Sequence, residues 1–183
     1  MKYMFASDIH GSAYYCRKVL ETYRQSGADR LILLGDLLYH GPRNELPEEY
    51  APNRVFEMLN GYKNEIWAVR GNCDSEVDQM VLEFPMMADY AVLVLNGKTF
   101  FVTHGHLFDK EHRPAMKAGD ILIHGHTHLL LAEPMDDCFL LNPGSVSLPK
   151  GGNPHTYGML DGTRFEVLDF DGQAVTAIDL ERE

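Results

Sequence analysis

The sequence is short of cysteine, of basic residues and of long apolar runs, and each shortage excludes a class of protein. Its 183 residues include 16 basic residues against 27 acidic ones, which gives a formal net charge of −11. A surface that tracks nucleic acid needs clustered lysine and arginine, so no such surface is expected. A membrane-spanning helix needs roughly 18 or more apolar residues. The apolar runs here reach only strand length, as at 91–95, so no membrane segment is expected.

The three cysteines are too few and too widely spaced for a disulfide framework. Cys16, Cys73 and Cys138 show no C-x-x-C spacing and cannot all pair. A reducing cytoplasm is the simplest setting for them. The remaining composition, 45% hydrophobic and 23% charged, is typical of a globular protein. The length predicts one domain over residues 1–183.

The first third of the chain has the pattern of a β-α-β unit. A strand at 2–7 is followed by Ser12, a residue suited to a helix N-cap, and by apolar residues at helical spacing up to Gly27. The next expected elements are a strand at 30–34, a helix at about 53–59 and a strand at 65–69. This order predicts parallel strands.

The second half is predicted to be mostly antiparallel. The dipeptide Asn96-Gly97 predicts the turn of a hairpin formed by 86–95 and 98–103, and a short helix is expected at 111–117. Further short strands are expected at 121–124, 130–133, 138–141, 157–160, 165–170 and 174–180. A total of about ten strands favours an α/β fold with two sheets packed face to face.

Three of the nine histidines lie within residues 121–128, where an apolar run ends at Gly125. Imidazole is the commonest protein metal ligand. His126 and His128 are spaced to face one site from a tight loop, whereas His124 lies within the apolar strand and is expected to pack in the core. Taken alone, this stretch predicts a metal site no more strongly than an ordinary turn.

Five predicted strands end in a side chain that can bind a metal ion, and this pattern favours the metal site. The donors are Asp8 and His10, Asp36, Asn72, His104, and His126 with His128. Ligands of α/β sheets bind beyond the carboxyl ends of the strands. A single aspartate or asparagine after a strand is usually a turn residue or a helix cap, but five such strand ends indicate a shared site.

Seven donors exceed the four that one zinc ion takes, and they suit two ions that share a carboxylate. Two-metal sites clamp the attacking and leaving oxygens of an in-line displacement at phosphorus. Two divalent ions, two aspartates and one hydroxide leave a formal charge of about +1, which attracts a phosphodiester monoanion without a basic cluster.

The order of these motifs over nearly the whole chain resembles the calcineurin-like metallophosphoesterase superfamily. The matching motifs are Asp8-x-His10, Gly35-Asp36, Gly71-Asn72-Cys73-Asp74, His104-Gly105-His106 and Gly125-His126-x-His128. The short form of the chain, with Arg43-Asn44 and Asn142-Pro143-Gly144-Ser145, resembles the YfcE-type bacterial phosphodiesterases.

The resemblance implies a four-layer α-β-β-α sandwich of two mixed sheets with a dinuclear site. By motif position, one ion would be held by Asp8, His10, Asp36 and His128. The other would be held by Asp36, Asn72, His104 and His126. Asp36 would bridge the two ions. Mn²⁺ is the expected metal, with Zn, Ni or Fe as alternatives.

Cys73 departs from the superfamily pattern. The superfamily usually has a histidine there, which protonates the leaving group, and an acid such as Asp74 after it, which orients the imidazole. A thiol with an ordinary pKa of about 8.5 is a poor general acid at neutral pH. Cys73 therefore suggests diesters with good leaving groups, or another acid such as His106 or a water; alternatively, Cys73 only fills space.

Three further residues have two open interpretations each. His106 follows a predicted ligand and either contacts the phosphate or orients a ligand. His40 and Arg43, in a loop with several prolines, either bind the scissile phosphate or are solvated loop residues.

Three functions remain open. The first is metal-dependent hydrolysis of a small phosphodiester. The second is phosphomonoesterase or protein phosphatase activity. The third is a non-catalytic scaffold of the same fold, against which the presence of all seven ligands argues. A homo-oligomer is also possible, with Tyr90 and Phe108 as candidate interface residues.

Overall fold

The computed structural model describes residues 1–181. Arg182 and Glu183, the end of the predicted domain, lie outside the described residues. The helices are α1 (Ala13–Ser26), α2 (Pro52–Asn60) and α3 (Glu76–Val81). The strands are β1 (Lys2–Ala6), β2 (Arg30–Leu33), β3 (Ile66–Ala68), β4 (Tyr90–Leu95), β5 (Lys98–Thr103), β6 (Ile121–Ile123), β7 (Leu130–Met135), β8 (Cys138–Pro143), β9 (Thr156–Asp161), β10 (Arg164–Asp169) and β11 (Ala174–Asp179). None of the described helices combines the length and apolar character needed to span a bilayer.

The strands form two mixed sheets, as predicted. One sheet has six strands in the order β11-β10-β9-β1-β2-β3, in which β1, β2 and β3 are parallel. The other has five strands in the order β4-β5-β6-β8-β7, in which β5, β6 and β8 are parallel. The carboxyl ends of the parallel strands carry the loops that contain the predicted ligands.

The two sheets pack face to face over an apolar core. Phe5 of the six-stranded sheet stacks on Phe100 of the other at 6.2 Å between ring centroids, and Phe165 meets Phe5 edge-on at 5.9 Å. The neighbouring residues Met4 and Ala6 point to the opposite face and pack in the cluster beneath α1. Because β1 is buried on both faces after its first residue, residues 3–6 form a continuous apolar run.

Helices α1 and α2 pack on the outer face of the six-stranded sheet and end where the sequence predicts. The Ser12 hydroxyl accepts a hydrogen bond from the backbone N–H of Tyr15 at 3.2 Å, and Gly27 ends α1 in the left-handed region at φ 67°. Val55 and Leu59 of α2 are buried. Helix α1 therefore forms from local caps together with an apolar face, whereas α2 begins with Pro52 and has no side-chain cap.

The prediction of a helix at 111–117 is wrong, because residues 105–120 contain no helix. The Asp109 carboxylate accepts hydrogen bonds from the backbone N–H groups of Glu111 and His112 at 2.8 and 2.7 Å. Pro114 then disfavours a helical conformation at the preceding residue. A local turn is therefore more stable than a helix on the outer face of the five-stranded sheet.

Helix α3 was not predicted. Its six residues bury no side chain, so they show no apolar periodicity. The only local signal is at Ser75, whose backbone N–H donates to the Asp78 carboxylate at 2.7 Å, the pairing of a capping box.

Candidate metal centre

The predicted metal ligands lie on loops whose backbone bends in an unusual way. Asp8, His10, Asp36, His126 and His128 all have φ between 50° and 65°. Such a conformation costs of order 1 kcal/mol or more per residue and persists only where the surroundings enforce it, typically at functional sites. The strain turns these side chains back over the ends of the strands.

Three buried histidines have their outer ring nitrogens bound to backbone carbonyls. The Nδ1 atoms of His10, His104 and His128 lie 2.8, 2.6 and 2.5 Å from the carbonyl oxygens of Tyr39, Leu34 and Leu148. A carbonyl oxygen only accepts, so each Nδ1 carries the proton. When each ring is neutral, the lone pair of its Nε2 atom then faces the site, which is the arrangement of metal-binding histidines.

The first group of ligating atoms consists of Asp8, His10 and His128. Asp8 Oδ1 lies 3.6 Å from His10 Nε2 and 3.3 Å from His128 Nε2, and it is a buried oxygen without a hydrogen-bond partner. The three side chains can place their donor atoms within 4.8 Å of one another. An unsatisfied carboxylate oxygen beside two imidazole lone pairs suits a cation.

The second group consists of Asp36, His104 and His126, with Asn72 beside it. Asp36 Oδ2 lies 3.4 Å from His104 Nε2 and also 3.6 Å from His10 Nε2 of the first group. Asn72 Oδ1 lies 3.2 Å from His104 Nε2. Asp36 thus stands between both groups, in the position that a bridging carboxylate requires, and the residues fit two divalent ions.

The electrostatics of the two groups favour cation binding. Burial raises the pKa of Asp8, but the neighbouring His10 and His128 imidazoles outweigh it and hold that pKa well below its usual range. Burial lowers the pKa of His104, but its hydrogen bond to Asp36 and the nearby carboxylates raise the pKa to about 9. His104 therefore holds a proton in the metal-free chain that a bound cation would displace.

His126 can bind a metal ion without first losing a proton. Burial, followed by the charge of His104, lowers the pKa of His126 to about 4. Its ring is therefore neutral at pH 7. The backbone N–H of His126 also donates to Asp8 Oδ2 at 3.1 Å, which ties the loop after β6 to the loop after β1.

Asp74 holds the loops of the metal centre together. Its buried carboxylate accepts hydrogen bonds from the backbone N–H groups of Asp36, Leu37 and Gly71 at 2.8, 2.8 and 2.7 Å. Burial raises its pKa to about 6 despite these bonds. Asp74 is therefore a positioning residue that fixes the loops of Asp36 and Asn72.

Cys73 and Arg43 line a cavity of about 420 Å³ above the metal ligands. The backbone N–H of Cys73 donates to Asp36 Oδ1 at 2.8 Å. Burial, followed by the charge of Asp36, raises the pKa of Cys73 to about 12, so the thiol is a weak acid at neutral pH.

His106 and His40 lie near the centre but are not among the residues that line this cavity. The His106 ring centroid is 5.5 Å from that of His104, and burial with the charge of His104 lowers the pKa of His106. The His40 ring packs edge-on against Tyr39 and Tyr50. Each has a buried Nδ1 atom without a hydrogen-bond partner.

Two serines support the site in a way that the sequence left open. The hydroxyls of Ser145 and Ser147 donate to the carbonyl oxygen of Asp8 at 3.0 and 2.7 Å. These bonds fix the strained backbone of Asp8. The Asn-Pro-Gly-Ser motif was the available signal for Ser145, whereas nothing in the sequence singled out Ser147.

Three residues with polar side chains that line the cavity were not predicted as site residues: Asn44, Thr127 and Lys150. The sequence marked Asn44 only as part of Arg43-Asn44. Thr127 lies between two ligands, and Lys150 is far from every metal motif along the chain. Their places follow only from the fold.

Known proteins share both the sequence and the fold. Residues 1–164 match the calcineurin-like phosphoesterase superfamily domain. Phosphodiesterase YfcE of Escherichia coli strain K12 is 54% identical over 177 residues, which cover 97% of this chain and 96% of that protein. The E. coli YfcE structure superposes with a TM-score of 0.97 at 52% identity and covers 99% of this chain and 100% of that one.

Two further known proteins are less similar. A phosphodiesterase of Methanocaldococcus jannaschii is 30% identical, with 92% of this chain and 98% of that protein covered. Zinc-bound Vps29 of Entamoeba histolytica shares the fold alone, with a TM-score of 0.63 at 19% identity over 99% of this chain and 100% of that one. The domain matched over residues 1–164 and the 54% identity to E. coli YfcE establish that this chain belongs to the calcineurin-like phosphoesterase superfamily.

Proposed function

We propose that this chain is a metal-dependent phosphodiesterase that hydrolyses small phosphodiesters with two divalent ions, preferably Mn²⁺. The observation that carries the proposal is Asp36, whose Oδ2 faces His10 of one ligand group and His104 of the other. The 54% identity to a protein named as a phosphodiesterase supports the same reaction.

Seven side chains would hold the two ions. Asp8, His10 and His128 would hold one together with Asp36, and Asn72, His104 and His126 would hold the other with the same aspartate. When bound, the ions supply Lewis-acid stabilisation of the charge that develops at phosphorus and a nucleophile at neutral pH. The mixture of carboxylate, amide and imidazole donors suits Mn²⁺ and also accepts Zn²⁺, Ni²⁺ or Fe²⁺.

The residues around the ions would bind and orient the ester. Arg43 lines the cavity, and we expect it to contact the scissile phosphate. Cys73 occupies the position from which the superfamily usually protonates the leaving group. A thiol there favours diesters whose leaving group departs without a proton.

The size of the cavity favours a small substrate. A volume of about 420 Å³ lies within the range of small-molecule sites. It gives little room for the extended contacts that a protein phosphatase makes with its substrate. We therefore place phosphomonoesters second and a scaffold role third, because a scaffold needs none of the buried ligands.

Two further expectations belong to the proposal. All three cysteines are free thiols, which suits a reducing cytoplasm. Tyr90 stacks on Phe101 and meets Phe108 edge-on at 5.7 Å within the same chain. Tyr90 is half exposed, so a homo-oligomer through this aromatic group remains a prediction.

The test is to strip the protein with a chelator, reload it with Mn²⁺, Ni²⁺, Zn²⁺ or Mg²⁺, and assay a matched pair of esters. We expect two bound ions per chain and faster turnover of bis(p-nitrophenyl) phosphate than of p-nitrophenyl phosphate. Faster turnover of the monoester would identify a phosphomonoesterase. A protein with two bound ions that hydrolyses neither ester would be a scaffold.

A further inference from the structure

The mouth of the cavity over the metal centre carries two cationic side chains. Lys150 reaches it from the loop after β8, and Arg43 from the loop after β2. Both residues are exposed, and Asp36 is the one acidic residue among those that line the cavity. The mouth is therefore locally cationic in a protein with a net charge of −11.

Neither cationic side chain forms an ion pair within residues 1–181. Elsewhere, Arg70 pairs with Asp89 and Lys110 pairs with Glu133, but Lys150 and Arg43 form no ion pair with any described carboxylate. A cation that is free at the mouth of a cavity raises the local concentration of anions. Lys150 and Arg43 are thus available to bind an anionic ligand.

The backbone of Lys150 is fastened to the metal site. Its N–H donates to the carbonyl oxygen of His128 at 3.1 Å, and its own carbonyl accepts from the N–H of Asn153 at 3.3 Å. The next residue, Gly151, has φ 68° and lies so close to Leu129 that a Cβ there would come within 2.9 Å of that side chain. The backbone of Lys150 is therefore held in a fixed position at the rim of the ligand groups.

The charge at the site exceeds what a simple diester needs. Two divalent ions, Asp8, Asp36 and one hydroxide leave a formal charge of about +1, which one phosphodiester charge already balances, and Arg43 and Lys150 add two further positive charges at the cavity. Arg43 already faces the scissile phosphate in the proposed function. We propose that Lys150 binds a second phosphoryl group on one ester arm, so that the preferred substrates are phosphodiesters with a further phosphate. This inference rests on the proposed phosphodiesterase function.

The test compares two substrates that differ only in that phosphate. They are the p-nitrophenyl ester of thymidine 5′-phosphate and the same ester with a 3′-phosphate. We expect kcat/KM of the metal-loaded protein to be about tenfold higher for the second substrate, mainly through KM, because one charge-assisted contact is gained. The preference should shrink as salt is added.

Substitutions test whether Lys150 causes the preference for the substrate with the second phosphate. Lys150→Ala should bring the ratio of the two kcat/KM values close to one, and Lys150→Arg should keep most of it. Lys117→Ala, which removes an exposed lysine outside the cavity, should leave the ratio unchanged. Equal losses on both substrates in Lys150→Ala would place the lysine on the scissile phosphate and overturn the inference.

Two other outcomes separate this inference from the proposed function. Hydrolysis of both esters at equal kcat/KM would overturn the second-phosphate site while the phosphodiesterase function stands. Hydrolysis of neither would remove the proposed function, and calorimetry would then decide on the site. Thymidine 3′,5′-bisphosphate should bind more tightly than thymidine 5′-phosphate in the wild type and not in Lys150→Ala; equal binding in the wild type would overturn the inference.

Discussion

His10 and His128 point their Nε2 atoms at each other across 3.2 Å, and when both rings are neutral neither of these atoms carries a proton. Each ring uses its Nδ1–H for a backbone carbonyl, that of Tyr39 for His10 and that of Leu148 for His128. Two lone pairs at this distance repel each other, and the unsatisfied Oδ1 of Asp8 lies beside them. A cation bound by all three atoms converts this repulsion into attraction.

The first prediction is that metal binding stabilises the folded chain. A ligand that binds only the native state adds about 2.7 kcal/mol of stability at a concentration 100 times its Kd. Addition of Mn²⁺ to chelator-treated protein should therefore raise Tm in differential scanning fluorimetry. His10→Ala should lose most of this shift, and His112→Ala, whose ring is exposed, should keep it. A wild-type Tm that does not respond to metal would contradict the arrangement.

The second prediction is that Asp36→Asn removes at least one ion. The amide keeps the size of the side chain and can still accept the hydrogen bond from the Cys73 N–H, but it loses the charge that both ligand groups share. Bound metal, measured by mass spectrometry, should fall from two ions to one or none. Diester turnover should fall at least about 100-fold, more than the loss typical of residues that only support ligands.

Asp171→Asn serves as the control for this substitution, since Asp171 is an exposed aspartate in the turn between β10 and β11. It should retain both ions and full activity. Two ions in Asp36→Asn at wild-type affinity would rule out a bridging role for Asp36.

The third prediction concerns the leaving group. Cys73→His places an imidazole where the thiol has a pKa of about 12. General acid catalysis contributes about 10²–10⁴-fold where a leaving group needs a proton. Turnover of an alkyl phosphodiester should rise, while turnover of bis(p-nitrophenyl) phosphate should change little. Cys73→Ser controls for loss of the thiol, and a uniform fall on both esters in Cys73→His would count against the idea.

The fourth prediction concerns the close packing at Gly125. A Cβ there would overlap Ser7 Oγ and come within 2.8 Å of Asp8 Oδ2. Gly125→Ala should therefore lower the free energy of unfolding by about 3 kcal/mol and weaken metal binding. Chemical denaturation and a metal titration would measure the two effects.

A second substitution tests the cause of that loss. Ser7→Gly in the Gly125→Ala background removes the overlapping atoms and should restore part of the stability. Gly27→Ala, where φ is 67° but no atom lies within 4 Å, should cost only about 1 kcal/mol from backbone strain. Equal costs at Gly27 and Gly125 would show that overlap with Ser7 is not the cause.

The fold was predictable wherever local chemistry and tertiary packing agree. Residues 3–6 of β1 form a buried apolar run, Ser12 and Gly27 cap α1, and Asn96-Gly97 forms the turn between β4 and β5. Prediction failed at 111–117, where the Asp109 carboxylate and Pro114 favour a turn, and at α3, whose exposed side chains show no periodicity.

The candidate site was likewise predictable only in part from the sequence. Each predicted ligand follows a recognisable strand, so its type and place could be read locally. The sequence could not reveal the hydrogen-bond partners of Asp74 or the serines that fix the Asp8 carbonyl. It also could not reveal that Lys150 lies at the cavity mouth. These contacts join residues that are far apart in the chain, such as Ser147 and Asp8, and no local pattern records them.

The sequence by itself determined which atoms can bind metal, because carboxylate and imidazole chemistry belongs to the residue and strand ends are encoded by apolar periodicity. The tertiary structure decided how those atoms are divided between the two ligand groups. Only the meeting of the loops after β1, β2, β5 and β6 sets Asp36 between His10 and His104. Only the fold brings Lys150 to the same cavity, since the packing of two sheets, rather than any local signal, sets those distances.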